Sequence, residues 1–315
     1  MLAQIHEQFP QDVRIVIRDF PLTEIHDKAK LASQAAQAAR LQGKIQEMHD
    51  LLFDDTNWQA WTAMSVTDFE KWLGENASKI DGLDVARFKT DLNSAAVVKL
   101  VEDSRKGGDG IGVTGTPFLL LNGLGGAPAD YETLSSLVKL FLLPEKAPGA
   151  CPEMVIDPAR QYTATITTTR GDVVIKLFAD KAPTTVNSFV YLARQGWFDG
   201  ALFHRVIPGF VAQTGDPSGS GFGGPGYEFG VEITDLRFNK AGMVGMARSQ
   251  DPNTNGSQFF ITYDAVPSLD GQYTVFGEVI SGMEFVNQLT PRDPSNTNQV
   301  LLPGDKIVSV TIEEK

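Results

Sequence analysis

A single arginine interrupts an otherwise apolar run in the segment FHRVIPGFVAQTGD. Arg205 carries a permanent positive charge, and Gln213 and Gln258 add side-chain amides to the same part of the chain. A guanidinium buried in an apolar core is costly unless it is paired. Two interpretations follow. Arg205 pairs with Glu228 or Asp216 at the rim of a barrel, or it lies in an open groove and donates hydrogen bonds to a bound molecule.

Few other residues have side chains that could take part in chemistry. His204 invites a general-base role, but we expect a structural histidine bonded to neighbouring backbone. Cys151 is the only cysteine, and an incidental thiol is favoured over a role in a mixed disulfide. The four histidines are scattered along the chain, so no metal site is predicted.

The elements that must position Arg205 are mostly short β segments. The stretch TATITTTRGDVVIKLF at 163–178 alternates about an Arg-Gly turn, and further short segments follow between glycines and prolines. Only PTTVNSFVYLARQG at 183–196 is typical of a helix, with Pro183 in its first turn. This pattern predicts a closed β-barrel with few helices.

Three ordered motifs, FDGALFHRVIPGFVAQTGD, MARSQDPNTNGSQFFIT and SLDGQYTVFGEV, make the second half resemble the cyclophilins, a family of peptidyl-prolyl cis-trans isomerases. The resemblance covers about 162–314. It implies an eight-stranded antiparallel barrel closed by helices. It also implies isomerisation of X-Pro bonds in unfolded or extended polypeptides, with no cofactor and no metal.

The resemblance also implies roles for individual residues. Arg205 aligns with the catalytic arginine of the family, and Gln213 would position it and bond to substrate backbone. Ser268 stands where many members have Trp, so we expect weak cyclosporin binding. The implied substrate-binding residues are Phe210, Val211, Ala247, Arg248, Gln258, Phe260, Leu269 and Tyr273, the last of which replaces a common His.

The first half is mainly helical in pattern. VRIVIR at 13–18 and TPFLLLNG at 116–123 are predicted strands, with a helical block between them and a helix after them. A segment with four prolines then predicts a linker. The predicted domains are 1–143, a linker at 144–160, and 161–315.

The order of these elements resembles the thioredoxin-like oxidoreductases of the DsbA type, with their helical insertion, over about 1–142. The resemblance implies an α/β fold in which Thr116 and Pro117 offer backbone to an extended peptide. The CxxC motif of that family is missing, so the domain is either a redox-silent binding module or truncated at its N-terminus. An uncovered sheet edge favours a late start at Met1.

Composition excludes some classes of function. The formal net charge of the 315 residues is -12 and there is no basic block, so nucleic acid is not expected as a partner. No long apolar run predicts a membrane span. The chain as written has no signal peptide and would be cytoplasmic, or extracytoplasmic if an upstream start supplies an export signal. The oligomeric state is not predicted.

The leading hypothesis is therefore a prolyl isomerase that assists protein folding. One alternative is a non-catalytic chaperone whose two clefts hold unfolded chains. Another, which depends on an N-terminus upstream of Met1, is a bifunctional thiol-disulfide oxidoreductase and prolyl isomerase.

Overall fold

The computed structural model describes residues 1–127, 130–296 and 303–315. The chain divides into two compact units, Met1–Ala129 and Asp130–Lys315. The helix that follows residue 130 therefore lies in the second unit. The domain limits expected from the sequence, 1–143, 144–160 and 161–315, stay a prediction.

The first unit is a block of helices followed by a short hairpin. Ser65, Asp84 and Ser94 each accept a backbone N–H at the start of a helix, which satisfies a group that the helix itself leaves unbonded. Its elements are α1 Leu2–Gln8, α2 Ala29–Arg40, α3 Ile45–Phe53, α4 Asp55–Thr62, α5 Val66–Asn76, α6 Val85–Leu92, α7 Ala95–Gly110, β1 Leu120–Leu121 and β2 Leu124–Gly125.

The alanines of α2 allow its neighbours to approach closely. Ala35, Ala38 and Ala39 are fully buried and pack in one cluster with Phe69 and Phe88. Small side chains lose little conformational entropy on burial and let large aromatic rings fill the space between helices.

The prediction of a strand at 13–18 was wrong. This segment is not part of any ladder among the described residues, and Ile15, Val16 and Ile17 are exposed. Its apolar residues predicted a buried strand, but a strand forms only where a neighbouring strand supplies hydrogen bonds. Of the strand predicted at 116–123, only Leu120–Leu121 is paired.

The second unit is built on an eight-stranded antiparallel sheet in the order β10-β3-β4-β9-β7-β8-β6-β5. An isolated bridge between Leu202 and Lys306 links the regions that precede its two outermost strands. The elements are α8 Tyr131–Leu142, β3 Tyr162–Thr168, β4 Asp172–Leu177, α9 Pro183–Arg194, β5 Arg205–Ile207, β6 Val211–Thr214, β7 Met243–Met246, β8 Phe259–Thr262, β9 Val275–Ser281, α10 Met283–Val286 and β10 Ile307–Glu314.

Aromatic rings fill the interior of this sheet. Phe189 of α9 packs against Phe198, Phe259 and Phe276, with ring centroids 5.1 to 5.5 Å apart. Such offset and edge contacts are favourable beyond the area they bury. The predicted helix at 183–196 is confirmed as α9, which begins at Pro183 as expected.

Strand alternation separates this core from a second apolar cluster. In β8, Phe259 and Ile261 belong to the core, whereas Phe260 between them belongs to the other cluster. In β6, Ala212 faces the core and Val211 faces the second cluster. Because successive side chains in a strand point to opposite faces, the sheet carries a sealed core on one face and a different surface on the other.

Candidate active site

Three neighbouring strands place the polar and apolar candidates in one row. In the ladder, Arg205 of β5 lies opposite Gln213 of β6, and Gln213 lies opposite Phe260 of β8. Phe260 in turn lies opposite Gly245 of β7. Directly opposed residues share a face of the sheet, so this register brings together residues that are 55 positions apart in sequence.

Arg205 is held by contacts with neutral side chains. Its Nη1 donates to Gln213 Oε1 at 3.5 Å, and its Cζ lies 5.5 Å from the centre of the Phe210 ring. The ion pairs formed within the described part of the chain do not include Arg205. Pairing with Glu228 or Asp216, the first interpretation of the sequence, is therefore not what the structure shows. The side chain is only partly buried, so water screens part of its charge.

Asp293 is one carboxylate that responds to this charge. Hydrogen bonds from Ser295 lower the pKa of Asp293 most, and the nearby Arg205 guanidinium adds a smaller contribution.

A chain of glutamines fixes the partner of Arg205. Gln213 Nε2 donates to Gln258 Oε1 at 3.0 Å. Gln258 Nε2 donates to the carbonyls of Gly221 and Gly223 at 2.9 and 3.0 Å. Since each amide donates through nitrogen, the orientation of both glutamines is set, and Gln213 presents its oxygen to Arg205.

An apolar socket lies beside this row. Val211 and Phe260 are buried, while the predicted residues Phe210, Leu269 and Tyr273 pack against them and stay partly exposed. The prediction that these side chains come together is consistent with the geometry, while their roles in binding stay predictions. The Phe260 ring stacks on Phe238 at 5.5 Å and meets Tyr273 edge-on at 5.8 Å.

The floor of the socket was missed from the sequence. A Cβ on Gly245 would lie within 2.6 Å of the Phe260 ring and 2.7 Å of the Phe238 ring, so glycine is required there. The glycine in GMVGMA was the available signal for this close approach. The remaining floor residues are Phe238, Met243, Val266 and Val275.

Ala247 and Arg248 follow β7 at the edge of the socket. Ala247 N donates to Gln258 O at 2.9 Å. The Arg248 guanidinium lies 4.6 Å from the centre of the Tyr273 ring and donates to Gln272 O. This cation–π contact holds the tyrosine that replaces the family's common histidine.

Asp216 organises the loop that receives Gln258. The carboxylate is fully buried. Its Oδ1 accepts the backbone and side chain of Ser218 at 2.8 and 2.7 Å. Its Oδ2 accepts Ser220 Oγ at 3.1 Å and the backbone of Gly221 and Gly223 at 2.7 and 3.0 Å. The sequence predicted a turn-forming aspartate here, and the structure shows a turn with five hydrogen bonds to one side chain.

His204 is buried beneath the same loop. It is 5% exposed, and neither ring nitrogen makes a hydrogen bond of good geometry to a described residue, although the Leu202 backbone is near enough to raise its pKa. The expected bond to neighbouring backbone stays a prediction. Burial lowers the pKa of His204 below its ordinary value of 6.5, and Asp216 and the Leu202 backbone oppose this shift only in part. A neutral, enclosed imidazole fits a structural role.

We expect the lowered pKa of His204 to make the free energy of unfolding depend on pH. Because the native pKa is lowered, the unfolded state binds the proton first as pH falls below about 6.5, and the free energy of unfolding decreases by up to about 1.4 kcal/mol per pH unit. Urea unfolding between pH 5 and 8 measures this slope. The slope should shrink in His204→Gln and persist in His26→Gln, which changes an exposed histidine. Equal slopes in the two variants would contradict the assignment.

The remaining sequence candidates lie elsewhere. Thr116 and Pro117 are exposed in the first unit, and the peptide bond between them is cis. Cys151 is exposed in the second unit.

Comparison with family models gives two matches. The model of the cyclophilin type peptidyl-prolyl cis-trans isomerases matches residues 163–312, and the model named Thioredoxin matches residues 2–140. The predicted fold classes are confirmed: a thioredoxin-like domain precedes a curled, eight-stranded antiparallel half-barrel with helices.

Curated relatives match the second half of the chain. Peptidyl-prolyl cis-trans isomerase CYP18-1 of Arabidopsis thaliana is 47% identical over 129 residues, which are 40% of this chain and 80% of the relative. Peptidyl-prolyl cis-trans isomerase A of Mycobacterium tuberculosis is 46% identical over 147 residues, 41% of this chain and 80% of the relative.

One longer relative is matched over only part of its length. Peptidyl-prolyl cis-trans isomerase CYP57 of Arabidopsis thaliana is 42% identical over 164 residues, 50% of this chain but only 32% of the relative. This chain thus spans about a third of the length of that relative. Within the described ranges, no helix combines the length and apolarity that crossing a membrane requires.

Proposed function

Since this chain belongs to the cyclophilin family of peptidyl-prolyl cis-trans isomerases, we propose that its second unit accelerates rotation about X-Pro bonds in unfolded or extended polypeptides. The observation that supports this most is the placement of Arg205. A guanidinium without a carboxylate partner among the described residues lies next to an apolar socket, on the open face of the sheet.

The chemistry requires a donor that acts only in the transition state. An X-Pro bond resists rotation by about 20 kcal/mol because the nitrogen lone pair is delocalised into the carbonyl. When the bond is twisted, the lone pair returns to nitrogen and can accept a hydrogen bond. Arg205 would donate to it at that point, and an interaction that strengthens only in the transition state lowers the barrier. No bond is broken, so no nucleophile or general base is needed.

The socket has a separate task. The proline ring would rest between Phe210, Phe260 and Leu269, with Val211 beneath and Tyr273 at the rim, so that the rest of the peptide turns about a fixed ring. Apolar contacts suit this because the ring offers no polar atom to bond.

Recognition of the flanking peptide would fall to backbone groups. Ala247 N already donates to Gln258 O, so the groups at this edge that remain for substrate are the Ala247 carbonyl and the backbone of Arg248. The side chain of Gln213, held by Gln258, would bond to substrate backbone while positioning Arg205. Main-chain pairing with an extended peptide tolerates many sequences, which fits a folding assistant.

The first unit is proposed to add peptide binding. In this thioredoxin-like domain, the exposed backbone at Thr116–Pro117 would pair with an extended segment of the same class of polypeptide. The sequence has one cysteine, the exposed Cys151. Because a dithiol/disulfide couple needs two cysteines, this supports peptide binding rather than disulfide exchange for the sequence as given.

An exchange assay tests the isomerase proposal. We expect the full chain to raise the cis-to-trans rate of an Ala-Pro peptide above background, measured by a protease-coupled assay or by NMR exchange. A protein whose refolding is limited by proline should also refold faster. Improved refolding yield at an unchanged rate would instead indicate a chaperone that holds chains without catalysis.

A further inference from the structure

The segment Asp130–Gly149, here named the strap, lies outside the cyclophilin match at 163–312, and its first part lies within the Thioredoxin match at 2–140, yet it belongs to the same compact unit as the cyclophilin match. It consists of Asp130, α8, a short 3₁₀ helix at Leu143–Glu145, and the four residues 146–149. From the sequence, most of the strap was assigned to the first domain and the rest to a linker. Its side chains are instead integrated into the fold of the second unit.

The C-terminal part of the strap packs on the loop at 216–226. Leu143 is buried in the core of the second unit, with Leu140 and Ala147 packed against that core. A Cβ on Gly223 would lie 2.8 Å from Leu143 Cδ2, so the leucine sits directly against this backbone. Gly149 N donates to Pro225 O at 3.0 Å. An apolar contact and a hydrogen bond thus fix the loop from outside.

That loop is the one that orients the glutamines. Its carbonyls at Gly221 and Gly223 accept both hydrogens of Gln258, and Gln258 holds Gln213, the partner of Arg205. Leu143 of the strap therefore contacts Gly223, whose carbonyl accepts a hydrogen bond from Gln258. From Gln258 the series of hydrogen bonds continues through Gln213 to Arg205.

We propose that the strap is a positioning element of the isomerase site, which fixes Gln258 through the 216–226 loop. This inference rests on the proposed isomerase function for its catalytic consequence. Its structural part, the fixing of the loop by Leu143, can be measured without any catalysis.

The test uses the full chain with Leu143→Ala, Leu143→Met and Phe141→Ala. Phe141 lies at the end of α8, two residues before Leu143, but is 42% exposed, so its removal controls for a lost apolar side chain. Two quantities are measured under conditions where each variant is folded: kcat/KM on an Ala-Pro peptide, and amide hydrogen exchange at Ser218, Gly221 and Gly223. Leu140→Ala, a milder change in the strap, replaces Leu143→Ala if that variant does not fold.

We expect Leu143→Ala to lower kcat/KM roughly tenfold, within the range by which residues outside a site modulate it, and to speed exchange at the three amides by a similar factor. Leu143→Met should restore both because it refills the space. Phe141→Ala should match the unmodified protein.

Two outcomes overturn the inference or separate it from the proposed function. If Leu143→Ala unfolds at lower temperature but matches Phe141→Ala in kcat/KM and in exchange, the strap only adds stability and the inference is wrong. If the unmodified protein shows no isomerase activity, the proposed function fails. Exchange then decides whether the strap holds the loop: faster exchange supports this, and unchanged exchange overturns it.

Discussion

Replacing Arg205 by alanine is expected to lower kcat/KM on an Ala-Pro peptide by about 10²- to 10³-fold. The variant loses the donor that would reach the proline nitrogen in the twisted state, and no second cation stands in the row formed by Gln213, Phe260 and Gly245. Binding of the ground-state peptide rests on the socket, so KM should change less than kcat.

The fold should tolerate this change. Arg205 is partly exposed and makes one long hydrogen bond, to Gln213 at 3.5 Å, so its removal leaves no buried group without a partner. Surface charges of this kind contribute about 1 kcal/mol or less. The matched control is Arg160→Ala, which also removes one positive charge, from a surface pair with Glu314. It should retain the full rate.

Arg205→Lys separates charge from geometry. Lysine keeps the positive charge but lacks the planar fork, so we expect a rate between those of the alanine variant and the unmodified protein. Equal rates for Arg205→Ala and Arg160→Ala would contradict the mechanism and point to a site that binds without catalysing.

The second domain was largely predictable because its information is local and ordered. Alternation in TATITTTRGDVVIKLF predicted paired strands, and these are β3 and β4. The motif around Arg205 predicted that the arginine, two glutamines and the socket residues would lie together, which the register of β5, β6 and β8 explains.

What the sequence did not predict depends on contacts that no pattern encodes. The segment VRIVIR has the composition of a strand, but pairing requires a neighbour, and the structure leaves it exposed. The linker expected at 144–160 stays a prediction, but no pattern indicated that Ile156 within it is buried. The sequence alone left open whether Arg205 pairs with an acid such as Asp216, and only the structure shows that Asp216 accepts hydrogen bonds from its own loop instead.

Replacing Asp216 by alanine is expected to lower the free energy of unfolding by about 3–5 kcal/mol, because each buried donor left without an acceptor costs about 1–3 kcal/mol and several are left here. The carboxylate accepts five hydrogen bonds, three of them from the backbone of Ser218, Gly221 and Gly223. Without it, these N–H groups lose their acceptor, and those of Ser218 and Gly223 are buried away from water. Urea unfolding measures the loss, and Asp251→Ala is the control, since Asp251 is exposed and accepts from Asn253 in an ordinary turn.

Asp216→Asn should be nearly as damaging, for a reason specific to this geometry. Each carboxylate oxygen accepts at least one backbone N–H, from Ser218 at Oδ1 and from Gly221 and Gly223 at Oδ2. Whichever of the two oxygens the NH₂ group of asparagine replaces, it then faces a backbone N–H, and two donors cannot bond to each other. The loop also orients Gln258, so kcat/KM should fall in samples that are still folded. If either Asp216 variant loses no more stability and activity than Asp251→Ala, the loop does not depend on this carboxylate, and the route from Asp216 through Gln258 to Arg205 is wrong.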